Sequence, residues 1–152
     1  MKELRTDIEI DATPERVWEV LTDFAAYPEW NPFIRKVEGE AAPGSTLEVR
    51  MESPGGRAMT FKPTVLEVAP RRELRWLGRV LAPRVFDGEH SFRIEPIDDS
   101  RVRFVQAERF SGVLAPLFSK TLEKTRGGFT AMNEALKRRA EATPSSGNGE
   151  RA

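Results

Sequence analysis

Residues 88–112, GEHSFRIEPIDDSRVRFVQAERFSG, have the pattern of two apolar strands joined by a tight turn. Alternate side chains of a strand project from the same face. One face of this hairpin therefore carries seven residues: His90, Phe92, Ile94, Phe104, Gln106, Glu108 and Phe110. Burying an unpaired imidazole, amide or carboxyl group in a dry core costs several kcal/mol. We therefore interpret this mixed face as the wall of an internal cavity.

The turn between the two strands predicts their register. A three-residue turn at Asp98–Ser100 places His90 opposite Glu108 and Phe92 opposite Gln106, close enough for the side chains to touch. A histidine and a carboxyl group in an apolar pocket can act as a general acid and base. They can equally satisfy each other, or hold the polar end of a ligand without any bond chemistry. Both interpretations stay open at this point.

The other strands and helices are predicted from the same kind of pattern. Period-2 segments bounded by Gly, Pro and Asp turns predict seven strands: Glu3–Ile10, Ile34–Glu40, Thr46–Glu52, Met59–Val68, Glu73–Arg79, Gly88–Pro96 and Arg101–Ser111. After the first strand, Asp11 or Thr13 offers an N-cap for a short helix that starts at Pro14, and a second short helix or turn follows at once. Pro63 indicates an edge position or a bulge within the fourth strand.

A long helix is predicted from about Pro116 to Arg139. The positions of one face recur in steps of four or three: Leu114, Phe118, Leu122, Thr125, Phe129, Met132 and Leu136. Gly127 and Gly128 interrupt this helix and allow either a bend or a close approach to its backbone. We expect one domain over residues 1–140 and a disordered polar tail over residues 141–152.

Sequential strands joined by short loops form an antiparallel sheet, and such a sheet must cover its apolar face. The only predicted element long enough to do so is the C-terminal helix. The fold class is therefore α+β: a curved antiparallel sheet of about seven strands wrapped around a long C-terminal helix, with two short helices after the first strand.

Composition excludes several classes of function. The chain has 24 basic and 24 acidic residues, so its charge gives no reason to expect nucleic acid as a partner. It has no cysteine and a single histidine, which exclude thiol chemistry and a multi-histidine metal site, and we expect no metal and no cofactor. Without a signal peptide or a membrane-spanning run, we expect a cytoplasmic protein that does not insert into membranes. The oligomeric state stays open.

Five segments resemble the SRPBCC superfamily, which has the helix-grip fold shared by START lipid-transfer domains, the birch-pollen allergen and polyketide cyclase/dehydrase-like proteins. They are IEIDATPERVWEVLTDFAAYPEWNPF (8–33), VLEVAPRRELRWLG (65–78), DGEHSFRIEP (87–96), FVQAERFSGVLAPL (104–117) and LEKTRGGFTAMNEALKRR (122–139). Together they span most of residues 1–140 and look most similar to the polyketide cyclase-like branch. The resemblance implies the helix-grip fold and an internal cavity. It implies no particular reaction.

These observations predict a binding protein for a small, largely apolar molecule that carries a polar group. The candidate ligand-binding residues are Trp76, His90, Phe92, Ile94, Phe104, Gln106, Glu108, Phe110, Phe118, Leu122 and Phe129. The loop Val80–Pro83 is either a lid or a self-packed loop. One alternative is a polyketide cyclase/dehydratase-like enzyme with His90 and Glu108 as its acid–base pair. Another is an interaction module similar to the Hsp90-activator branch, in which the outer surface matters more than the cavity.

Overall fold

The computed structural model describes residues 2–55, 57–80 and 84–142, without the side chains of residues 80 and 118–121. The strands are β1 (Lys2–Ile10), β2 (Ile34–Glu38), β3 (Glu48–Glu52), β4 (Ala58–Phe61), β5 (Thr64–Ala69), β6 (Glu73–Val80), β7 (Phe86–Asp98) and β8 (Arg101–Ser111). The helices are α1 (Pro14–Thr22), α2 (Tyr27–Trp30) and α3 (Ser119–Glu141), with 3-10 turns at Phe24–Ala26 and Ala115–Phe118. In this part of the chain, no helix is both long enough and apolar enough to cross a membrane.

The strands form two antiparallel sheets. The larger sheet has the order β1-β8-β7-β6-β5 and the smaller one has the order β2-β3-β4. The predicted strand Met59–Val68 is wrong in one respect, because Lys62 and Pro63 divide it into β4 and β5. Pro63 has no N–H to donate to a neighbouring strand, and its carbonyl accepts from the backbone N–H of Leu47 at 2.9 Å. The observed α+β architecture confirms the predicted fold class, with eight strands instead of about seven.

The short helices after β1 form where the sequence predicts them. Of the two candidate caps, Thr13 is the one used: its hydroxyl accepts from the backbone N–H of Arg16 at 3.1 Å, and Pro14 follows at the first helical position. In the next turn, the hydroxyl of Tyr27 donates to the carbonyl of Leu21, and its ring packs edge-on against Trp30. These contacts fix the corner between α1 and β2.

Helix α3 lies across the inner face of the larger sheet, and its residues Leu122, Phe129, Met132 and Leu136 are buried. A Cβ atom at Gly128 would lie 2.2 Å from the Phe33 ring, so only glycine allows this approach of ring and helix. A Cβ atom at Gly127 would lie 3.6 Å from the Pro54 side chain, an ordinary contact. The two glycines therefore differ, and at Gly128 the close-approach alternative of the sequence prediction holds.

Candidate ligand-binding site

The register of the β7–β8 hairpin builds the centre of the candidate site. As predicted, His90 pairs with Glu108 and Phe92 with Gln106. The turn itself differs, because a bulge after Pro96 pairs Asp98 with Arg101. Neighbouring strands extend the His90–Glu108 pair into one row across the inner face: Leu4, Glu108, His90, Trp76 and Val65.

His90 is fully buried and surrounded by aromatic rings. Its imidazole stacks on Phe92 at a centroid distance of 4.3 Å and lies 5.0 Å from Phe129 and 5.6 Å from Trp76. Nε2 lies 2.9 Å from Oε1 of Gln106, while Nδ1 lies 3.4 Å from Oε1 of Glu108. Nε2 is therefore hydrogen-bonded, whereas Nδ1 lies near the carboxyl group without making a hydrogen bond to it.

A chain of polar groups continues from Gln106 away from the imidazole. Gln106 Nε2 donates to Asn133 Oδ1 at 2.8 Å, and Asn133 Nδ2 donates to Thr6 Oγ1 at 2.8 Å. Gln106 and Asn133 are almost completely buried. The sequence analysis did not predict Asn133 as a site residue. A polar amide directly after Met132, beside the apolar stripe of the helix, was the signal that could have identified it. Thr6 carries a similar signal, since it lies on the inner face of β1 between apolar residues.

Burial shifts the two ionisable groups of the site in opposite directions. Burial lowers the pKa of His90 from 6.5 to about 4, although its hydrogen bond with Gln106 acts in the opposite direction. Burial raises the pKa of Glu108 from 4.5 to about 8, and no charged side chain among the described residues adds to that shift. At neutral pH the imidazole is therefore neutral and the carboxyl group is protonated. The site holds polar groups without net charge.

Two buried polar atoms in the row have no hydrogen-bond partner among the described residues: His90 Nδ1 and Trp76 Nε1. Both side chains are 0% exposed. A buried donor or acceptor without a partner costs about 1–3 kcal/mol. Such atoms in a native interior indicate that water or a ligand completes their hydrogen bonding.

Two glycines leave space on the inner face of the sheet next to this row. Gly78 pairs with Gly88 across β6 and β7. A Cβ atom at Gly88 would lie 2.4 Å from Oε2 of Glu108, and one at Gly78 would lie 3.1 Å from the Phe61 ring. Because neither glycine has a side chain, the Glu108 carboxyl group can lie against Gly88 and the Phe61 ring against Gly78.

Aromatic rings line the centre of the inner face, which the sequence predicted as the wall of a cavity. Trp76 and Phe92 have a centroid distance of 5.1 Å, and Phe92 and Phe104 one of 6.3 Å. Pockets of about 290 and 410 Å³ lie elsewhere, one on the outer face of the sheet and the other between α2 and β2. Within the row, Glu108 keeps the most exposure, 12% of its side chain, so we expect a ligand to lie beside it. A cavity there stays a prediction.

The structure brings most of the predicted ligand-binding residues to one interior. Ten of them line it, from fully buried to 12% exposed at Glu108: Trp76, His90, Phe92, Ile94, Phe104, Gln106, Glu108, Phe110, Leu122 and Phe129. The side chain of Phe118, the lid interpretation of Val80–Pro83, and the tail from residue 143 onward lie outside the described residues. Within the described ranges, no group of three or more His, Asp or Glu side chains is arranged to hold a metal ion.

A curved antiparallel sheet closed over a long C-terminal helix, with polar groups on the inner face, defines the helix-grip class of proteins. The chain belongs to the family described as "Polyketide cyclase / dehydrase and lipid transport", whose model matches residues 1–141. No curated protein matches the chain in sequence.

Solved structures share the fold at low sequence identity. The Zhui aromatase/cyclase from a Streptomyces species is 20% identical, with a TM-score of 0.72 over 92% of this chain and 93% of that one. A START superfamily protein from Mycobacterium smegmatis is 22% identical, with a TM-score of 0.71 over 91% and 97%. Norcoclaurine synthase from Thalictrum flavum is 17% identical, with a TM-score of 0.68 over 91% and 93%. At these identities the likeness concerns the fold alone.

Proposed function

We propose that the protein binds a small, largely apolar molecule and holds an uncharged polar group of that molecule beside Trp76, His90 and Glu108. The observation that carries the proposal is a pair of buried atoms without a hydrogen-bond partner in the described part of the chain, His90 Nδ1 and Trp76 Nε1, in one row with the Glu108 carboxyl group. Indole N–H and carboxylic O–H donate hydrogen bonds, while an imidazole nitrogen with a lone pair accepts one. A hydroxyl group, which donates and accepts, matches this set.

The charge state of the site favours a neutral ligand group. With Glu108 protonated and His90 neutral at pH 7, no described charge in the row compensates for burying a carboxylate or an ammonium group. Burying an unpaired charge costs far more than burying a hydroxyl or carbonyl group that is hydrogen-bonded. We therefore expect discrimination against charged analogues of a bound molecule.

Apolar contacts for the rest of the ligand are available next to Glu108. Phe110 stacks on Phe86 at 5.8 Å, and Phe61 lies over Gly78 on the same inner face. Phe61 and Phe86 are only partly buried. Each aromatic ring that a ligand covers contributes through the apolar area removed from water.

The second candidate function is catalysis of a cyclisation or dehydration on a polyketide-like molecule. The specific observation in its favour is the pKa of Glu108, about 8, because an acid with a pKa near the working pH is suited to general acid catalysis. Glu108 would donate its proton to a carbonyl oxygen or to a departing hydroxyl group. His90 Nδ1 would accept a proton in return, as a weak base because burial lowers the pKa of His90 to about 4.

A matched set of bicyclic probes tests the binding proposal by isothermal titration calorimetry. We expect 2-naphthol to bind more tightly than 2-methylnaphthalene, which lacks the hydroxyl group, and more tightly than 2-naphthoate, which is charged. His90→Gln should weaken binding of 2-naphthol by about 5- to 30-fold, as expected for one hydrogen bond. The matched control is Met132→Leu, a buried change on α3 outside the row.

Equal affinity for 2-naphthol and 2-methylnaphthalene would contradict the polar part of the proposal. To separate binding from catalysis, the His90→Gln protein is assayed with any ligand that native mass spectrometry recovers with the wild-type chain. Loss of affinity supports a binder. Near-normal affinity with a roughly hundredfold loss of turnover supports the enzyme instead.

A further inference from the structure

We propose that Gln106, Asn133 and Thr6 are positioning residues that hold His90 as the tautomer protonated on Nε2, so that Glu108 carries the exchangeable proton of the site. This assignment deepens the proposed function, and its consequence for a ligand rests on that function. The tautomer itself is a property of the free protein. Its test is therefore separate from any test of binding.

The direction of the hydrogen bonds from Thr6 through Asn133 and Gln106 determines which imidazole nitrogen carries the proton. The Thr6 hydroxyl donates its one proton to the backbone carbonyl of Gln106 at 3.3 Å, so Thr6 Oγ1 accepts from Asn133 Nδ2. Asn133 Oδ1 then accepts from Gln106 Nε2, which leaves Gln106 Oε1 facing His90 Nε2 at 2.9 Å. Since an amide oxygen only accepts, the imidazole proton lies on Nε2.

The surroundings of Glu108 require the same tautomer. Its described neighbours in the sheet are Leu4 on β1 and Gly88 and His90 on β7, and of these only His90 is titratable. Protonation on Nδ1 would favour an ionised carboxylate in this buried place, which desolvation opposes. With the proton on Nε2, the lone pair of Nδ1 faces a neutral carboxylic acid at 3.4 Å.

The hydrogen-bonded chain of Thr6, Asn133 and Gln106 therefore gives His90 and Glu108 separate roles. His90 is an acceptor toward the ligand space, and Glu108 is the donor. The three positioning residues come from β1, β8 and α3, and they connect the orientation of the imidazole to the packing of the helix on the sheet. A ligand hydroxyl beside both groups would receive a hydrogen bond from Glu108 and donate one to His90 Nδ1.

Nitrogen-15 NMR of the whole chain, labelled in histidine, tests the assignment directly because the chain has one histidine. We expect the wild-type spectrum to show a protonated Nε2 and an unprotonated Nδ1 throughout pH 5 to 7.5. Gln106→Leu and Asn133→Leu should convert this into a mixture with the Nδ1-protonated form. Met132→Leu, which changes only packing, should keep the wild-type tautomer.

The wild-type spectrum alone can overturn the proposal, even where a variant does not fold. A proton on Nδ1, or an imidazolium at pH 7, would refute it. So would an unchanged tautomer in a folded Asn133→Leu protein. If the tautomer is as expected and 2-naphthol does not bind, the proposed function fails and this assignment stands. If 2-naphthol binds and the tautomer differs, the tautomer assignment fails and the proposed function stands.

Discussion

Glu108→Gln should remove most of the pH dependence of stability that the wild-type protein shows above neutral pH. In the unfolded chain, Glu108 has its ordinary pKa of 4.5 and His90 one of 6.5, whereas burial moves them to about 8 and about 4 in the folded protein. Between pH 4.5 and 6.5, each state holds one proton, on Glu108 when folded and on His90 when unfolded. Stability from this pair is therefore nearly constant in that range.

Above pH 6.5 the folded and unfolded states no longer bind the same number of protons. The unfolded chain has released the proton from His90, while the folded protein keeps the one on Glu108 up to about pH 8. The folded state then binds more protons than the unfolded state, so stability falls as the pH rises. The interval is about 1.5 pH units, and at about 1.4 kcal/mol per unit the loss by pH 8 is about 2 kcal/mol.

Urea unfolding at pH 6.5 and pH 8 measures this loss, because the difference between wild type and Glu108→Gln cancels contributions from other groups. We expect that difference to shrink by about 2 kcal/mol toward pH 8, since glutamine does not titrate. Glu48→Gln, at an exposed position on β3, is the matched control and should follow the wild type. A wild-type loss that persists unchanged in Glu108→Gln would refute a buried, protonated Glu108.

Three glycine variants test the space beside Glu108 and the packing of α3. Gly88→Ala should push the Glu108 carboxyl from its place and weaken 2-naphthol binding about tenfold in calorimetry, because the new Cβ would lie 2.4 Å from Oε2; unchanged affinity would contradict this role for the glycine. Gly128→Ala should destabilise the protein by about 1–3 kcal/mol in urea unfolding, because its Cβ would overlap the Phe33 ring. Gly127→Ala is its control and should be neutral or stabilising by up to about 1 kcal/mol; equal losses in both variants would show that helix packing does not distinguish the two positions.

The sequence predicts the parts of the fold that depend on local pattern. The predicted pairing of His90 with Glu108 is correct although the predicted turn is not, because the bulge after Pro96 offsets the pairing of Asp98 with Arg101 and keeps the register. The division of the sheet at Pro63 was only partly predicted. A proline indicates that pairing is interrupted, but not whether the result is a bulge or two separate strands.

The site was harder to predict because its polar contacts join distant segments. The link from Gln106 to Asn133 joins β8 to α3 and depends on how the helix lies on the sheet, which no local pattern specifies. Trp76 and Phe92 were predicted as cavity wall; they pack on each other and on His90, and a cavity beside them stays a prediction. Pattern identifies which face a ring occupies, whereas the space between facing rings depends on the curvature of the sheet.

The most direct test of the proposed site is the nitrogen-15 signal of His90 Nδ1 during titration with 2-naphthol. Because this atom is buried and without a described partner, we expect its signal to move toward that of a hydrogen-bonded nitrogen as the hydroxyl group binds. 2-Methylnaphthalene should leave the signal nearly unchanged. Binding of 2-naphthol without any change at Nδ1, or an equal change with both probes, would contradict a site in which Trp76, His90 and Glu108 receive the polar group of the ligand.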